Sequence, residues 1–128
     1  RQLSSGLLDM AWYGRELPEN AQVETIEREA MEKTDLFPPI ENYLMSTSFN
    51  HIFPGGYSSG YYSYKWAEVL DADAFEAFSE NGLFDPQTAK KFKVLLESGG
   101  SVHPMTLFEN FRGRKPKVDA LLKRAGLA

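Results

Sequence analysis

A histidine, a pair of glycines and several tyrosines lie close together between residues 51 and 66. A phenol has an ordinary pKa of about 10, so at neutral pH it can donate a hydrogen bond to charge building on a carbonyl oxygen. A histidine at the same place can donate as well, or shuttle a proton. Glycines carry no side chain, so a peptide backbone could approach them closely. These residue types suit a site that binds a peptide and stabilises a tetrahedral intermediate.

The candidate residues of this site are His51, Gly55, Gly56, Tyr57, Tyr61 and Tyr64. The spacing predicts a helix from about residue 57 to residue 78, in which the three tyrosines lie within about 60° of one another. The opposite side of that helix is predicted to face the core; it carries Tyr62, Trp66, Val69, Leu70 and Ala77. The residues alone also allow a plainer interpretation, in which the tyrosines are half-buried packing residues and the glycines only form a turn.

The rest of the chain also predicts helices. Apolar residues at helical spacing predict a first helix at residues 2–14 and a second that begins after Asn20. Two prolines place residues 35–40 in a loop, because the residue before proline is disfavoured in a helix. Residues 43–53 leave helix and extended chain open.

Three further helices are predicted in the C-terminal part. Asp85 is a helix cap followed by Pro86, and Pro104 and Pro116 can each open another helix. No hairpin signal is present. We therefore expect an all-α protein, an irregular multi-helix array that forms a single domain over residues 1–128.

The composition excludes several classes of protein. The absence of cysteine excludes disulfides, thiolate metal sites and a cysteine nucleophile. A net charge of −4 argues against a general nucleic-acid binder. No apolar run is long enough for a transmembrane helix, and the N-terminus does not read as a signal peptide. We expect a cytoplasmic protein with neither a nucleic acid nor a membrane as its partner.

The string from His51 to Phe75 resembles the C-terminal signature of the thimet oligopeptidase family, which includes oligopeptidases and peptidyl-dipeptidases (dipeptidyl carboxypeptidases). Residues 1–11 and the tail from Gly99 to Leu127 are similar to the same family. The resemblance covers nearly the whole chain. It implies a mostly helical zinc metallopeptidase that hydrolyses short peptides.

The resemblance also implies a role for each candidate residue. The histidine matching His51 lies near the substrate and helps to stabilise the transition state. The glycines matching Gly55 and Gly56 belong to a mobile loop over the substrate. Among the tyrosines, we expect Tyr64 to be the main phenolic donor to the oxyanion, with Tyr57 or Tyr61 in substrate binding.

The zinc-binding motif of that family, His-Glu-x-x-His, is absent, and the only histidines are His51 and His103. His103 is predicted to be an ordinary surface residue. The chain begins with Arg1 rather than methionine. We therefore expect the C-terminal portion of a larger zincin-type peptidase, inactive in isolation, with no metal ligand of its own. Its partners are then an oligopeptide substrate and the remainder of the peptidase chain, which would bind the zinc.

Two other functions remain open from the residues alone. One is a non-catalytic helical module that binds peptides, and the other is a domain that dimerises through uncovered apolar faces. Arg112 and Arg114 could anchor a peptide carboxylate or form a structural link between the last two helices. The residues do not separate an endopeptidase from a peptidyl-dipeptidase.

Overall fold

The computed structural model describes residues 1–128; 57% of them are helical and none lies in a strand. The predicted all-α class is therefore confirmed. The six α-helices are α1 (Gln2–Tyr13), α2 (Val23–Met31), α3 (Ser63–Asn81), α4 (Pro86–Glu97), α5 (Pro104–Arg112) and α6 (Asp119–Arg124). Two short 3-10 helices cover Glu32–Thr34 and Met45–Thr47. None of the helices is long and apolar enough to cross a membrane.

The chain divides into two compact units, Arg1–Lys65 and Trp66–Ala128. Each unit has its own cluster of buried apolar residues. The first cluster is formed by Leu8, Phe49 and Ile52, and the second by Ala74, Ala77, Phe108 and Phe111.

In the first unit, α1 packs against α2, and a buried carboxylate holds the segment that the sequence left undecided. Glu27 of α2 accepts hydrogen bonds from the backbone N–H groups of Met45, at 2.6 Å, and Ser46, at 2.8 Å. The Ser46 hydroxyl donates to the same carboxylate at 2.7 Å. Residues 43–53 thus start with a 3-10 helix tied to α2.

In the second unit, α4 begins where the local sequence predicted. The Asp85 side chain accepts from the backbone N–H of Thr88 at 2.7 Å, and Pro86 is the first residue of α4. Phe92 of α4 and Phe111 of α5 place their ring centroids 5.4 Å apart. Local capping and aromatic packing therefore fix α4 and α5.

Two helix starts differ from the prediction. Helix α2 begins after Gln22 rather than Asn20, whose carbonyl accepts from the Gln22 side chain. Helix α6 begins at Asp119 rather than near Pro116, and the backbone N–H of Lys117 before it donates to the Asp73 carboxylate at 2.8 Å. The Asn20 carbonyl and the Lys117 N–H are thus each hydrogen-bonded outside a helix.

Helix α3 begins at Ser63, six residues after the predicted start, because Ser59 has a left-handed φ of 57° that no α-helix contains. Of the residues predicted to face the core, Val69 and Ala77 are buried. Tyr62 and Trp66 are exposed, which corrects the prediction. The buried face of α3 consists mainly of small residues around Asp73. The large aromatic residues near the start of the helix remain exposed.

Candidate functional site

The side chains of His51 and three tyrosines form one contiguous cluster in the first unit. The His51 ring centroid lies 6.0 Å from that of Tyr57 and 5.7 Å from that of Tyr61. The Tyr64 ring lies 5.4 Å from Tyr57 and 5.2 Å from Tyr61. Each of the four rings thus contacts two others, so the cluster is closed. We call these four residues the tyrosine cluster.

The three tyrosines meet without sharing a helix. Only Tyr64 belongs to α3, while Tyr57 and Tyr61 lie in the turns that precede it. The backbone N–H of Gly60 donates to the Tyr57 carbonyl at 2.9 Å, and that of Ser63 donates to the Gly60 carbonyl at 3.1 Å. Two consecutive turns therefore bring together side chains that the sequence placed on one helical face.

These turns are held by Asp9, which the sequence reasoning missed. Its side chain is fully buried, and its two carboxylate oxygens accept from the backbone N–H groups of Ser59, at 2.8 Å, and Tyr61, at 2.9 Å. One signal could have revealed it, since Asp9 is the only charged residue of α1. A lone charge in an otherwise uncharged helix needs a partner when it is buried.

His51 is placed by its neighbours in the chain. Phe49 and Ile52 are both buried, whereas His51 is exposed. The Phe49 ring lies 5.9 Å from the imidazole and 4.9 Å, edge on, from the Tyr61 ring. The buried neighbours therefore anchor a segment whose imidazole stays accessible to a ligand.

The two glycines of the loop differ in their surroundings. A Cβ on Gly55 would lie 2.7 Å from the Asn50 carbonyl oxygen and 2.8 Å from the His51 Cα. Gly55 therefore allows the loop to close on its own backbone, and its N–H donates to that same carbonyl at 2.8 Å. Gly56 has a φ of +77° and open space where a side chain would stand. Contact of either glycine with substrate stays a prediction.

The phenol of Tyr64 is disposed to remain protonated. Its pKa is raised above the ordinary value, first by the hydrogen bond with the Tyr57 hydroxyl, then by burial and by the nearby charges that Tyr57 and Tyr61 would carry when ionised. Two hydroxyls that share one hydrogen bond retain a second O–H between them. That O–H is available to an oxygen of a bound molecule at neutral pH.

The histidines do not fit a zinc centre. His51 is surrounded by aromatic rings. His103 is exposed, as predicted, and its Nδ1 accepts from the backbone N–H of Met105 at the start of α5. No three histidine, cysteine, aspartate or glutamate side chains are grouped so that they could hold a metal ion.

Arg112 and Arg114 are committed to carboxylates of α3. The Arg112 Nε lies 3.0 Å from an Asp73 oxygen, and Arg114 donates to both Asp73 oxygens at 2.6 and 2.7 Å. Arg112 also donates to both oxygens of Glu80, and only 6% of its side chain is exposed. The arginines therefore link the end of α5 to α3, rather than α5 to α6 as the structural alternative had it. Arg112 is not free to bind a peptide carboxylate.

This arrangement also fixes the charge of Asp73. Burial works to raise the pKa of Asp73, but hydrogen bonds from Arg114, the Lys117 N–H and Arg112 outweigh it and leave the pKa lowered. The carboxylate is consequently ionised at neutral pH and neutralised by two guanidinium groups. A buried carboxylate that is paired in this way stabilises the fold.

Comparison with known proteins identifies the family. Residues 1–127 match the model of peptidase family M3, so the chain belongs to this family and its resemblance to thimet oligopeptidases is confirmed. Oligopeptidase A of Haemophilus influenzae is 58% identical over 81 residues, which cover 62% of this chain and 12% of that protein. Oligopeptidase A of Escherichia coli is 42% identical over 130 residues, covering 99% of this chain and 19% of that protein.

A second enzyme name occurs among the relatives. Dipeptidyl carboxypeptidase of Escherichia coli is 37% identical over 129 residues, covering 98% of this chain and 19% of that protein. The chain thus spans no more than about a fifth of the length of these relatives.

Proposed function

We propose that these residues form the substrate-binding and transition-state-stabilising part of a metallopeptidase that hydrolyses short peptides. The observation that carries the proposal is the closed, accessible tyrosine cluster, in which an imidazole and three phenols face one another. Membership of a peptidase family, with relatives named oligopeptidase and dipeptidyl carboxypeptidase, supports a peptide as the ligand.

The cluster supplies hydrogen-bond donors to a reacting carbonyl group. As the carbonyl carbon becomes tetrahedral, negative charge develops on its oxygen, and a preorganised donor stabilises that charge. We assign this O–H to Tyr64, whose ring contacts both Tyr57 and Tyr61 and which is 39% exposed. The His51 imidazole is a second donor or a proton shuttle.

The remaining residues bind the peptide. The rings of Tyr57 and Tyr61 both contact the Tyr64 ring, and we assign these two residues to peptide binding. Gly56 offers backbone with open space around it, where a peptide main chain can come close. Gly55 supports this surface by closing the loop behind it.

The zinc implied by the family would be bound by residues outside Arg1–Ala128, where it would supply the activated water. This chain contributes donors and a binding surface. We expect the 128 residues alone not to hydrolyse peptides. Zinc-dependent, chelator-sensitive cleavage by the purified chain would contradict this division of roles.

The test is Tyr64→Phe in the longer peptidase that contains these residues. Loss of one oxyanion donor is expected to lower kcat by about 10²–10³-fold with little change in KM. Tyr62→Phe is the matched control, because Tyr62 is 59% exposed and outside the cluster.

Equal effects of the two substitutions on kcat would contradict the proposal. A rise in KM with unchanged kcat for Tyr64→Phe would instead identify the cluster as a peptide-binding surface without a catalytic role.

A further inference from the structure

Asp9 uses both of its carboxylate oxygens on the backbone of the turn that carries Tyr61. The Ser59 N–H donates to one oxygen at 2.8 Å and the Tyr61 N–H to the other at 2.9 Å. The side chain is fully buried in α1. This contact joins residues fifty positions apart in the chain.

We propose that Asp9 is a positioning residue that sets the geometry of the tyrosine cluster for the reaction. It touches no substrate and acts only through the backbone of residues 59–61. The inference rests on the proposed function for its kinetic consequences, while its structural consequence can be measured separately.

The turn needs a tether because its backbone is strained. Ser59 has a φ of 57°, in the left-handed region that a residue with a side chain rarely adopts. Such a conformation persists only where the surroundings over-determine it. The two hydrogen bonds to Asp9 supply that constraint on each side of Gly60.

Only a carboxylate satisfies both donors at this place. An asparagine offers one acceptor oxygen and one NH₂ group. In either orientation of the amide, one of the two backbone N–H groups would face another donor and lose its partner. Asp9→Asn therefore removes one anchor of the turn while preserving the shape of the side chain.

Loss of that hydrogen bond would displace Tyr61 and, with it, the rings that Tyr61 contacts. Its ring contacts both His51 and Tyr64, at 5.7 and 5.2 Å. A displacement of about 1 Å at a reacting group can lower a rate by about 10²-fold. The expected effect of Asp9→Asn is thus a loss of kcat through the displaced cluster, together with a rise in KM because Tyr61 itself binds the peptide in the proposed function.

The competing explanation is that Asp9 only stabilises the fold, and Glu27 provides the matched control. Glu27 is also a buried carboxylate of the first unit that accepts from two backbone N–H groups. Its partners, Met45 and Ser46, do not belong to the cluster. Glu27→Gln should reduce the folded fraction comparably, but leave kcat per folded molecule unchanged.

The kinetic experiment is a double-mutant cycle in the longer peptidase, combining Asp9→Asn with Tyr64→Phe. We expect Asp9→Asn to lower kcat by about 10- to 100-fold and also to raise KM. In the Tyr64→Phe background, the same substitution should have an effect of less than about threefold, since the donor that it displaces is already gone. Equal effects in both backgrounds, or an equal loss from Glu27→Gln, would overturn the inference.

A spectroscopic arm separates this inference from the proposed function. In the same peptidase with labelled tyrosines, Asp9→Asn should shift the ring NMR signals of Tyr57, Tyr61 and Tyr64 but not that of the exposed Tyr43. Unchanged cluster signals would refute the positioning role whatever the kinetics show. If the signals move but Tyr64→Phe leaves kcat intact, the positioning role stands and the proposed catalytic function fails.

Discussion

The two units each rely on a fully buried aspartate, but the aspartates bind different partners. Asp9 in the first unit accepts hydrogen bonds from backbone N–H groups of a turn. Asp73 in the second unit accepts mainly from the guanidinium groups of Arg112 and Arg114. Both side chains are completely shielded from solvent.

The difference explains why the candidate site lies in the first unit. A carboxylate that binds backbone N–H groups fixes the main chain and leaves the side chains of the held residues available. The turn held by Asp9 accordingly presents the Tyr61 ring to the cluster. Arg112 and Arg114 instead use their guanidinium groups to bind Asp73. These polar groups therefore stabilise the fold of the second unit.

The largest expected effect is that of Asp73→Asn on the second unit. Removing one partner of a buried ion pair costs about 3–5 kcal/mol; here Arg112 and Arg114 lose the buried carboxylate between them, while Arg112 keeps Glu80. Amide hydrogen exchange of α3 and α5 would measure the lost free energy of opening. The control is Asp71→Asn on the same helix, an exposed aspartate paired with Arg124, for which a loss of no more than about 1 kcal/mol is expected. Similar losses for both variants would show that burial of the carboxylate is not the cause.

The next effect concerns the apolar core of the first unit. Leu8 is fully buried, whereas Leu7 beside it is 44% exposed. Leu8→Ala should lower the free energy of unfolding by about 2–5 kcal/mol, and Leu7→Ala by no more than about 0.5 kcal/mol. Urea denaturation followed through Trp12 fluorescence, with Trp66 replaced by Phe in every variant, would measure both, since the Trp12 ring packs against this cluster. A comparable loss for Leu7→Ala would contradict the assignment of the core face of α1.

Acidification should weaken the second unit through carboxylates of lowered pKa. The pKa of Glu80 is lowered chiefly by its hydrogen bond to Arg112, and that of Asp73 by its arginines and the Lys117 N–H against the effect of burial. A lowered folded-state pKa means stability that is present above the unfolded value of about 4 and lost as the pH falls through the folded value.

Each proton taken up on unfolding changes the free energy of unfolding by about 1.4 kcal/mol per pH unit. Hydrogen exchange in α3 and α5 between pH 5 and about 3 should reveal this loss. The Asp73→Asn variant should show a shallower dependence, because one of the titrating groups is gone. An unchanged slope in that variant would remove Asp73 from the explanation.

Local signals made most of the second unit predictable from the sequence. Asp85 followed by Pro86 specifies a helix start within a few residues, and Pro104 does the same for α5. Phe108 and Phe111 of α5 are both buried in the core of this unit. The two helix starts depend on neighbours in the chain, so a single sequence contains them.

The contacts that shape the site were not predictable in the same way. The turns before α3 are hydrogen-bonded to Asp9, and helical periodicity carries no information about a residue so distant in the chain. The three tyrosines were singled out as a set, but through a helix that does not include Tyr57 or Tyr61. Their residue types and the family resemblance identified candidates, while the turns that join them required the structure.

The smallest expected effect is that of an alanine substitution at one glycine of each unit. Gly56 and Gly113 have φ values of +77° and +74°, and both have open space where a Cβ would stand. Alanine at either position should therefore lower the free energy of unfolding by about 1 kcal/mol, the strain of a left-handed residue with a side chain. Thermal or urea unfolding of the two variants would measure this matched loss.

The two substitutions should nevertheless differ in function. Under the proposed function, a methyl group on Gly56 enters the space that a peptide main chain occupies, and a misfit of that size lowers kcat/KM of the longer peptidase by about tenfold. Gly113 ends α5, where its N–H donates to the Glu109 carbonyl, and Gly113→Ala should leave kcat/KM per folded molecule unchanged. If both variants lost the same small stability and neither lost activity, the open space at Gly56 would have no part in substrate binding.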